Sequence, residues 1–370
     1  MRDSMADLYR HSIETMQAHQ APSGAYVASP NFPTYDYCWF RDGAFTAYAM
    51  DVAGQHLSSH RFHGWVTGIL IRQTDRVERA IEKAGQGEPL GDDYLHTRYT
   101  VEGETGAEDW PNFQLDGLGT WLWALAGHVR RGADPLPAGW QTAVDLSARY
   151  LAVLWSLPCY DLWEEHSQYL HPYTLAAIYA GLQAAAELAP SGRPSWLGVA
   201  GTIRRTVLRQ GVHDGHIVKF LMPQSGAAVS VPRLSAVDAS LLGVSTPYRL
   251  LSPEDPLMRA TLARIEADLH RPGGGVYRYQ ADTYYGGGEW LLLAAWLGWY
   301  YAEVGNQRRS RALLHWIEAQ ADPKGDLPEQ VSGHLLEPAC HSEWEARWGP
   351  VARPLLWSHA MYVVLYHALA

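Results

Sequence analysis

Five short segments carry the residues most able to do chemistry. Residues 160–169 read Tyr-Asp-Leu-Trp-Glu-Glu-His-Ser-Gln-Tyr, which sets Asp161, Trp163, Glu164 and Glu165 within five positions. Residues 326–334 hold Glu329. Residues 35–45 contribute Tyr35, Trp39, Arg41 and Asp42, residues 108–119 contribute Trp110, Gln114 and Asp116, and residues 277–290 contribute Arg278, Tyr284 and Trp290. Carboxylates, an arginine and indole rings are together what a sugar requires. Its hydroxyls take bidentate acceptors and donors, and its C–H face takes an aromatic platform. Breaking a glycosidic bond needs two carboxyl groups, one to protonate the leaving oxygen and one to activate water or attack the anomeric carbon. The candidates for that pair are Glu164, Glu165 and Glu329, with Asp42, Asp116 and Asp161 as hydroxyl ligands.

These segments work together only if the fold gathers them. Helical patterning dominates, with stretches near 4–18, 42–54, 57–85, 115–131, 139–156, 172–188, 194–210, 235–244, 256–269, 289–304, 307–321 and 354–369. Strand signals are short, as in Gly-His-Ile-Val-Lys-Phe at 215–220, and no alternation of strands and helices suggests a doubly wound sheet. Some helices are apolar all round, such as 174–188 and 290–302, and must be enclosed by protein; others, such as 259–271 and 307–321, carry one charged face and belong outside. Links after the inner helices are short (189–195, 303–307), while the links before them are long and hold the five segments. About twelve helices, alternately outer and inner, predict an all-α (α/α)6 barrel. The chemistry then gathers at one end. No Pro-, Ser- or charge-rich linker divides residues 1–370, so the reading is a single catalytic domain without a β-sandwich or starch-binding domain.

Composition narrows the function further. Trp 16 and Tyr 21 against Phe 6 favours rings with a polar edge, as in an aromatic-lined polar site. A net charge of -10 with no Lys/Arg cluster excludes nucleic acid as a partner, because counterion release needs a basic face. The apolar C-terminal stretch falls short of the roughly 20 residues of a membrane span, so no membrane partner is expected. Cys38, Cys159 and Cys340 are too scattered for a zinc site; with no apolar leader segment they point to a reducing, cytoplasmic setting.

In order and spacing, the five segments resemble glycoside hydrolase family 15, the glucoamylase family, over nearly the whole chain from about residue 20. The matching residues are Tyr35 and Trp39-Phe40-Arg41-Asp42; Trp110, Gln114 and Asp116-Gly117; Asp161-Leu162-Trp163-Glu164-Glu165; Arg278, Tyr279, Tyr284, Tyr285 and Trp290; Glu329-Gln330; and Trp357-Ser358. The resemblance implies an inverting, exo-acting α-glucosidase that releases β-glucose from short soluble α-glucans and needs no cofactor or metal. Glu164 would be the general acid and Glu329 the general base, with carboxyl groups roughly 6.5–9.5 Å apart. Tyr35 would sit by the anomeric centre and hydrogen-bond Tyr284. Arg41 and Asp42 would hold the terminal glucose, Arg278 the reactive sugar and Glu165 the leaving sugar. Asp161, Trp163 and Gln114 would join the sugar-binding set, and Trp39, Trp110, Trp290 and Trp357 would form the aromatic wall. His166-Ser167-Gln168-Tyr169, and Glu289 before Trp290, depart from the family pattern near the leaving sugar. The linkage therefore stays open between α-1,4, α-1,6 (an isomaltose glucohydrolase) and α,α-1,1 (a trehalase). A non-catalytic sugar-binding barrel is the alternative of a different class.

Overall fold

The computed structural model describes residues 2–132, 136–137, 139–189, 192–221 and 236–370. Among these are thirteen α-helices: α1 (Arg2–Ala18), α2 (Phe40–Val52), α3 (His56–Arg72), α4 (Thr74–Gln86), α5 (Asp116–Gly132), α6 (Trp140–Leu154), α7 (Pro172–Leu188), α8 (Arg193–Gln210), α9 (Pro256–Leu269), α10 (Leu291–Glu303), α11 (Gln307–Glu318), α12 (Pro338–Trp348) and α13 (Leu356–Ala368). The only sheets among the described residues are three two-stranded antiparallel ribbons: β1 (Cys38–Trp39) with β2 (Arg98–Tyr99), β3 (Val212–His213) with β4 (His216–Ile217), and β5 (Glu289–Trp290) with β6 (Gln330–Val331).

The inner ring runs α2, α5, α7, a 3-10 helix at Ala239–Val244, α10 and α13, and closes from α13 back onto α2. The outer layer is α1 on α13, α3 on α2, α6 on α5 and α7, α8 on α7, α9 on the 3-10 helix and α11 on α10. This is the (α/α)6 barrel. Apolar content decides which layer a helix takes. Every residue from Leu291 to Tyr301 of α10 and from Leu356 to Leu365 of α13 is buried. Outer α11 buries only Ser310, Leu313, Leu314 and Ile317, one stripe at helical spacing. α5 and α7 approach backbone to backbone: a Cβ on Gly119 would lie 2.4 Å from the Ala177 carbonyl oxygen, and one on Gly181 would lie 2.7 Å from Gly119 Cα. No described helix is long and apolar enough to cross a membrane.

Three features differ from the sequence expectation. The stretch 57–85 is two helices, α3 and α4, broken at Gln73 where neither proline nor glycine marks the break. The stretch 235–244 shortens to the 3-10 helix Ala239–Val244, and residue 235 lies outside the described residues, as do residues 190–191 of the link 189–195. α12 was not expected; none of its residues is fully buried, and only Cys340, Trp344 and Trp348 form a thin apolar, half-buried stripe. A further regularity is visible only in the fold. Residues 20–40 and 270–291 trace nearly the same path: bridges Gln20–Tyr26 and His270–Val276, then 3-10 turns Pro33–Tyr35 and Tyr284–Gly286, then β1 or β5, then an inner helix. These matching loops bring the hydroxyls of Tyr35 and Tyr284 together.

Candidate active site

All five segments do converge. A cavity of about 410 Å³ at the N-terminal ends of the inner helices is lined by Tyr35, Trp39, Arg41, Asp42, Trp110, Trp163, Glu164, Glu165, Arg278, Tyr284, Trp290, Glu329 and Trp357. Inner helices begin with extended residues, Trp39 before α2 and Trp290 before α10, so each strand-to-helix corner turns an indole toward the cavity.

Glu164 occupies a corner of strained backbone. Its φ of 67° lies in the left-handed region that non-glycine residues rarely adopt. Asp161 holds the turn closed. Its Oδ1 accepts from the backbone N–H groups of Trp163 and Glu165, both at 2.9 Å, and its own N–H donates to the Glu165 carbonyl at 2.9 Å. Glu164 Oε1 accepts from Trp39 Nε1 at 2.7 Å and from Gln114 Nε2 at 3.1 Å. Two donors on Oε1 leave Oε2 as the oxygen that can carry a proton.

Glu329 is buried next to β6, whose Gln330 pairs with Trp290. Tyr35 donates to Glu329 Oε1 at 3.1 Å, and the Tyr284 hydroxyl lies 2.8 Å from that of Tyr35. Glu329 Oε2 has no hydrogen-bond partner in the protein. Burial pushes the carboxyl up to about 8; the Tyr35 hydrogen bond, the Arg278 charge and Tyr284 oppose that rise. The loop is clamped from behind. Ser358 Oγ donates to the Pro328 carbonyl at 2.8 Å, and the Leu327 N–H donates to His359 Nε2 at 3.0 Å.

Arg41 is buried, 3.2 Å from Asp42 and 3.1 Å from Asp116, and it donates to Gln114 Oε1 at 2.9 Å. The 3.2 Å contact joins Arg41 Nε to Asp42 Oδ2, and neither atom has another partner in the protein. Burial raises Asp42 to about 6 against the pull of Arg41. Arg278 is gripped by Asp282 through two hydrogen bonds and lies 3.5 Å from Glu165. Its guanidinium packs beside the adjoining rings of Trp163 and Trp290, 5.1 and 5.3 Å from their centroids. Glu165 also accepts from the Tyr279 hydroxyl at 2.5 Å. The indole N–H groups of Trp110, Trp290 and Trp357 have no partner in the protein. Orphaned donors on a cavity wall suit a polyhydroxylated ligand.

Three expected sugar ligands stand behind the wall. Gln114, Asp116 and Asp161 do not line the cavity. The Gln114 amide is spent on Arg41, Thr97, Glu164 and the Pro111 carbonyl, and Asp161 on its own turn. Asp116 is fully buried against Arg41. Glu289 also points away from the cavity, accepting from the Gly275 N–H at 2.7 Å and facing His334 at 3.1 Å. Sequence reading missed several supporting residues. Arg98 lies 3.6 Å from the centroid of Trp110 and 4.0 Å from that of Tyr37. Asp238 accepts from Trp163 Nε1 at 2.9 Å and pairs with Lys219 at 3.0 Å. α12 adds Trp344, Arg347 and Trp348 to the rim.

An (α/α)6 barrel with paired carboxyl groups in an aromatic cavity defines a glycoside hydrolase. The chain belongs to the glycosyl hydrolases family 15, whose sequence profile matches residues 3–332. An isomaltose glucohydrolase of Kribbella flavida is 43% identical over 365 residues, spanning 97% of this chain and 91% of that protein. A glycosidase of known structure superposes with a TM-score of 0.91 at 42% identity, covering 99% of this chain and 97% of its own. It has also been solved with single glutamate, tyrosine or phenylalanine replacements, once with glucose bound. The glucoamylase of Hypocrea jecorina shares the fold, with a TM-score of 0.71 at 16% identity, covering 100% of this chain and 72% of its own.

Proposed function

We propose that this chain is an inverting, exo-acting α-glucosidase of short soluble α-glucans, with Glu164 as general acid and Glu329 as general base. The observation that carries this reading is the cavity itself. Two carboxyl groups share it, one with Oε1 saturated by N–H donors and one with a free Oε2 beside Tyr35. Glu164 Oε2–H gives its proton to the glycosidic oxygen as the anomeric C–O bond breaks. Water adds to the anomeric carbon from the opposite face and loses its proton to Glu329, so an α-linked glucose leaves as β-glucose. Tyr35, tied to both Glu329 and Tyr284, fixes the base and the water. Arg41 and Asp42 hold the terminal hydroxyls and block one end, which makes attack exo. Arg278, Glu165, Trp163, Trp39, Trp110, Trp290 and Trp357 hold the sugars, and Gln114 and Asp161 position Glu164. Residues from Ala28 to Trp357 line one cavity, which supports treating the chain as one catalytic domain. The free thiols of Cys38, Cys159 and Cys340 suit a cytoplasmic setting.

The Kribbella relative favours α-1,6 linkage, so isomaltose is the preferred substrate in this reading. The test is incubation with maltose, maltotriose, isomaltose, isomaltotriose and trehalose while anomeric protons are followed by NMR. β-Glucose forms first and isomaltose turns over fastest; α-glucose first removes Glu329 from its role. Arg41→Lys tests the clamp. A point charge cannot keep both the Gln114–Asp116 contacts and the Asp42 pair, so kcat/KM falls about 10–100-fold, with KM rising and kcat falling. Unchanged steady-state kinetics would make the Arg41–Asp42 pair structural only.

A further inference from the structure

At the opposite end of α2 from the sugar cavity lies a second cluster of functional side chains. Asp51 of α2, His63 of α3 and His128 of α5 are buried, and one ligand-capable atom from each lies within 4.8 Å of the others. Nine residues of helix separate Asp51 from Asp42, about 14 Å along the axis, so the cluster is no part of the catalytic cavity. His63 is wholly buried, yet neither ring nitrogen has a hydrogen-bond partner in the protein. A buried orphan imidazole is costly unless something else takes up its nitrogens. Its neighbours are arranged as a ligand set would be. The His63 and His128 ring centroids are 5.1 Å apart. Asp51 accepts from Ser59 Oγ at 2.7 Å and meets His56 Nδ1 at 3.0 Å, and both of its oxygens face His128 Nδ1, at 2.9 and 3.1 Å. Metal sites commonly carry such outer hydrogen bonds to fix a ligating carboxylate.

We propose that Asp51, His63 and His128 form a binding site for a divalent transition-metal ion of the zinc class. Two imidazoles and one carboxylate are the donors such an ion takes, with water as the fourth ligand. Tetrahedral zinc with bonds of about 2.0–2.1 Å sets ligand atoms about 3.4 Å apart, within reach of modest ring rotations from the present spacing. His56, half exposed, and His60, exposed one turn before His63, mark the route in from solvent. The ion would pin α2, α3 and α5 together at the base of the barrel.

The test uses the untagged full chain, stripped with chelator and titrated with Zn²⁺ or Co²⁺. The expected result is one ion per chain, a raised Tm, and cobalt absorption of the intense four-coordinate type. His63→Gln and His128→Gln each weaken binding by about a hundredfold or more, while glucosidase activity and helical circular dichroism persist. X-ray absorption of the zinc-loaded wild type reports two imidazoles without any variant, which keeps the test open should either variant fail to fold. The proposal is overturned by no stoichiometric binding up to millimolar ion, by an all-oxygen shell, or by undiminished affinity in folded His63→Gln.

Discussion

Glu329→Gln loses at least on the order of 10³ in kcat, within the range a general base contributes, and yet gains stability above neutral pH. Both halves come from the same burial. Glu329 titrates near 8 in the folded chain, well above an ordinary glutamate, because its carboxyl is enclosed. Between the ordinary glutamate range and about 8, the native state therefore binds more protons than the unfolded chain. Stability falls as pH rises through that window, and above it the ionised carboxylate is a standing cost. Asp42, raised to about 6, acts in the same direction over a narrower window. Glutamine has the same shape, accepts from Tyr35 and never ionises. The difference in Tm between Glu329→Gln and wild type should widen from pH 5 to pH 9 while turnover disappears. A constant difference would place the titration elsewhere. For catalysis the sign reverses: the base must be ionised, so the acid limb of the kcat/KM profile lies well above the ordinary carboxylate range. Tyr35→Phe removes a donor that lowers Glu329 and moves that limb higher still.

What the sequence revealed of this site depended on how each residue is recruited. Residues that touch the cavity sit in short motifs just before inner helices, where aromatic and charged side chains break an otherwise apolar pattern. Tyr35, Arg41, Glu164, Arg278 and Glu329 were legible for that reason. Residues that support them were not. Lys219 and Asp238 are brought to Trp163 and Asp161 by ring closure, not by spacing, and Arg98, paired with Trp39 in a two-residue ribbon, packs on Trp110. Gln114, Asp116 and Asp161 were found, but they stand behind the cavity wall, because a motif shows that a polar group is needed and not which way it faces. α12 escaped notice for the opposite reason. A helix with no fully buried residue leaves only a faint periodic trace, although Trp344, Arg347 and Trp348 reach the cavity rim.

The raised titration of Glu329 also supports a rival assignment, because a general acid is usually the carboxyl group held protonated near neutral pH. The hydrogen bonds argue against exchanging the roles. Glu164 receives two N–H donors on Oε1, which leaves Oε2 as the oxygen turned to the glycosidic bond, whereas Glu329 faces Tyr35 with its Oε2 unpartnered in the protein. A substrate that needs no acid separates the two readings. α-Glucosyl fluoride expels fluoride without protonation, so Glu164→Gln should lose on the order of 10²–10⁴ in kcat on isomaltose but stay within about tenfold of wild type on the fluoride. Glu329→Gln should be crippled on both, since water still has to be deprotonated. Were the roles exchanged, the fluoride would rescue Glu329→Gln and leave Glu164→Gln inactive. Because glutamine at 164 still accepts from Trp39 and Gln114, the comparison changes the proton and leaves the wall in place. The ratio of the two rates then reports which carboxyl group carries the proton to the leaving oxygen.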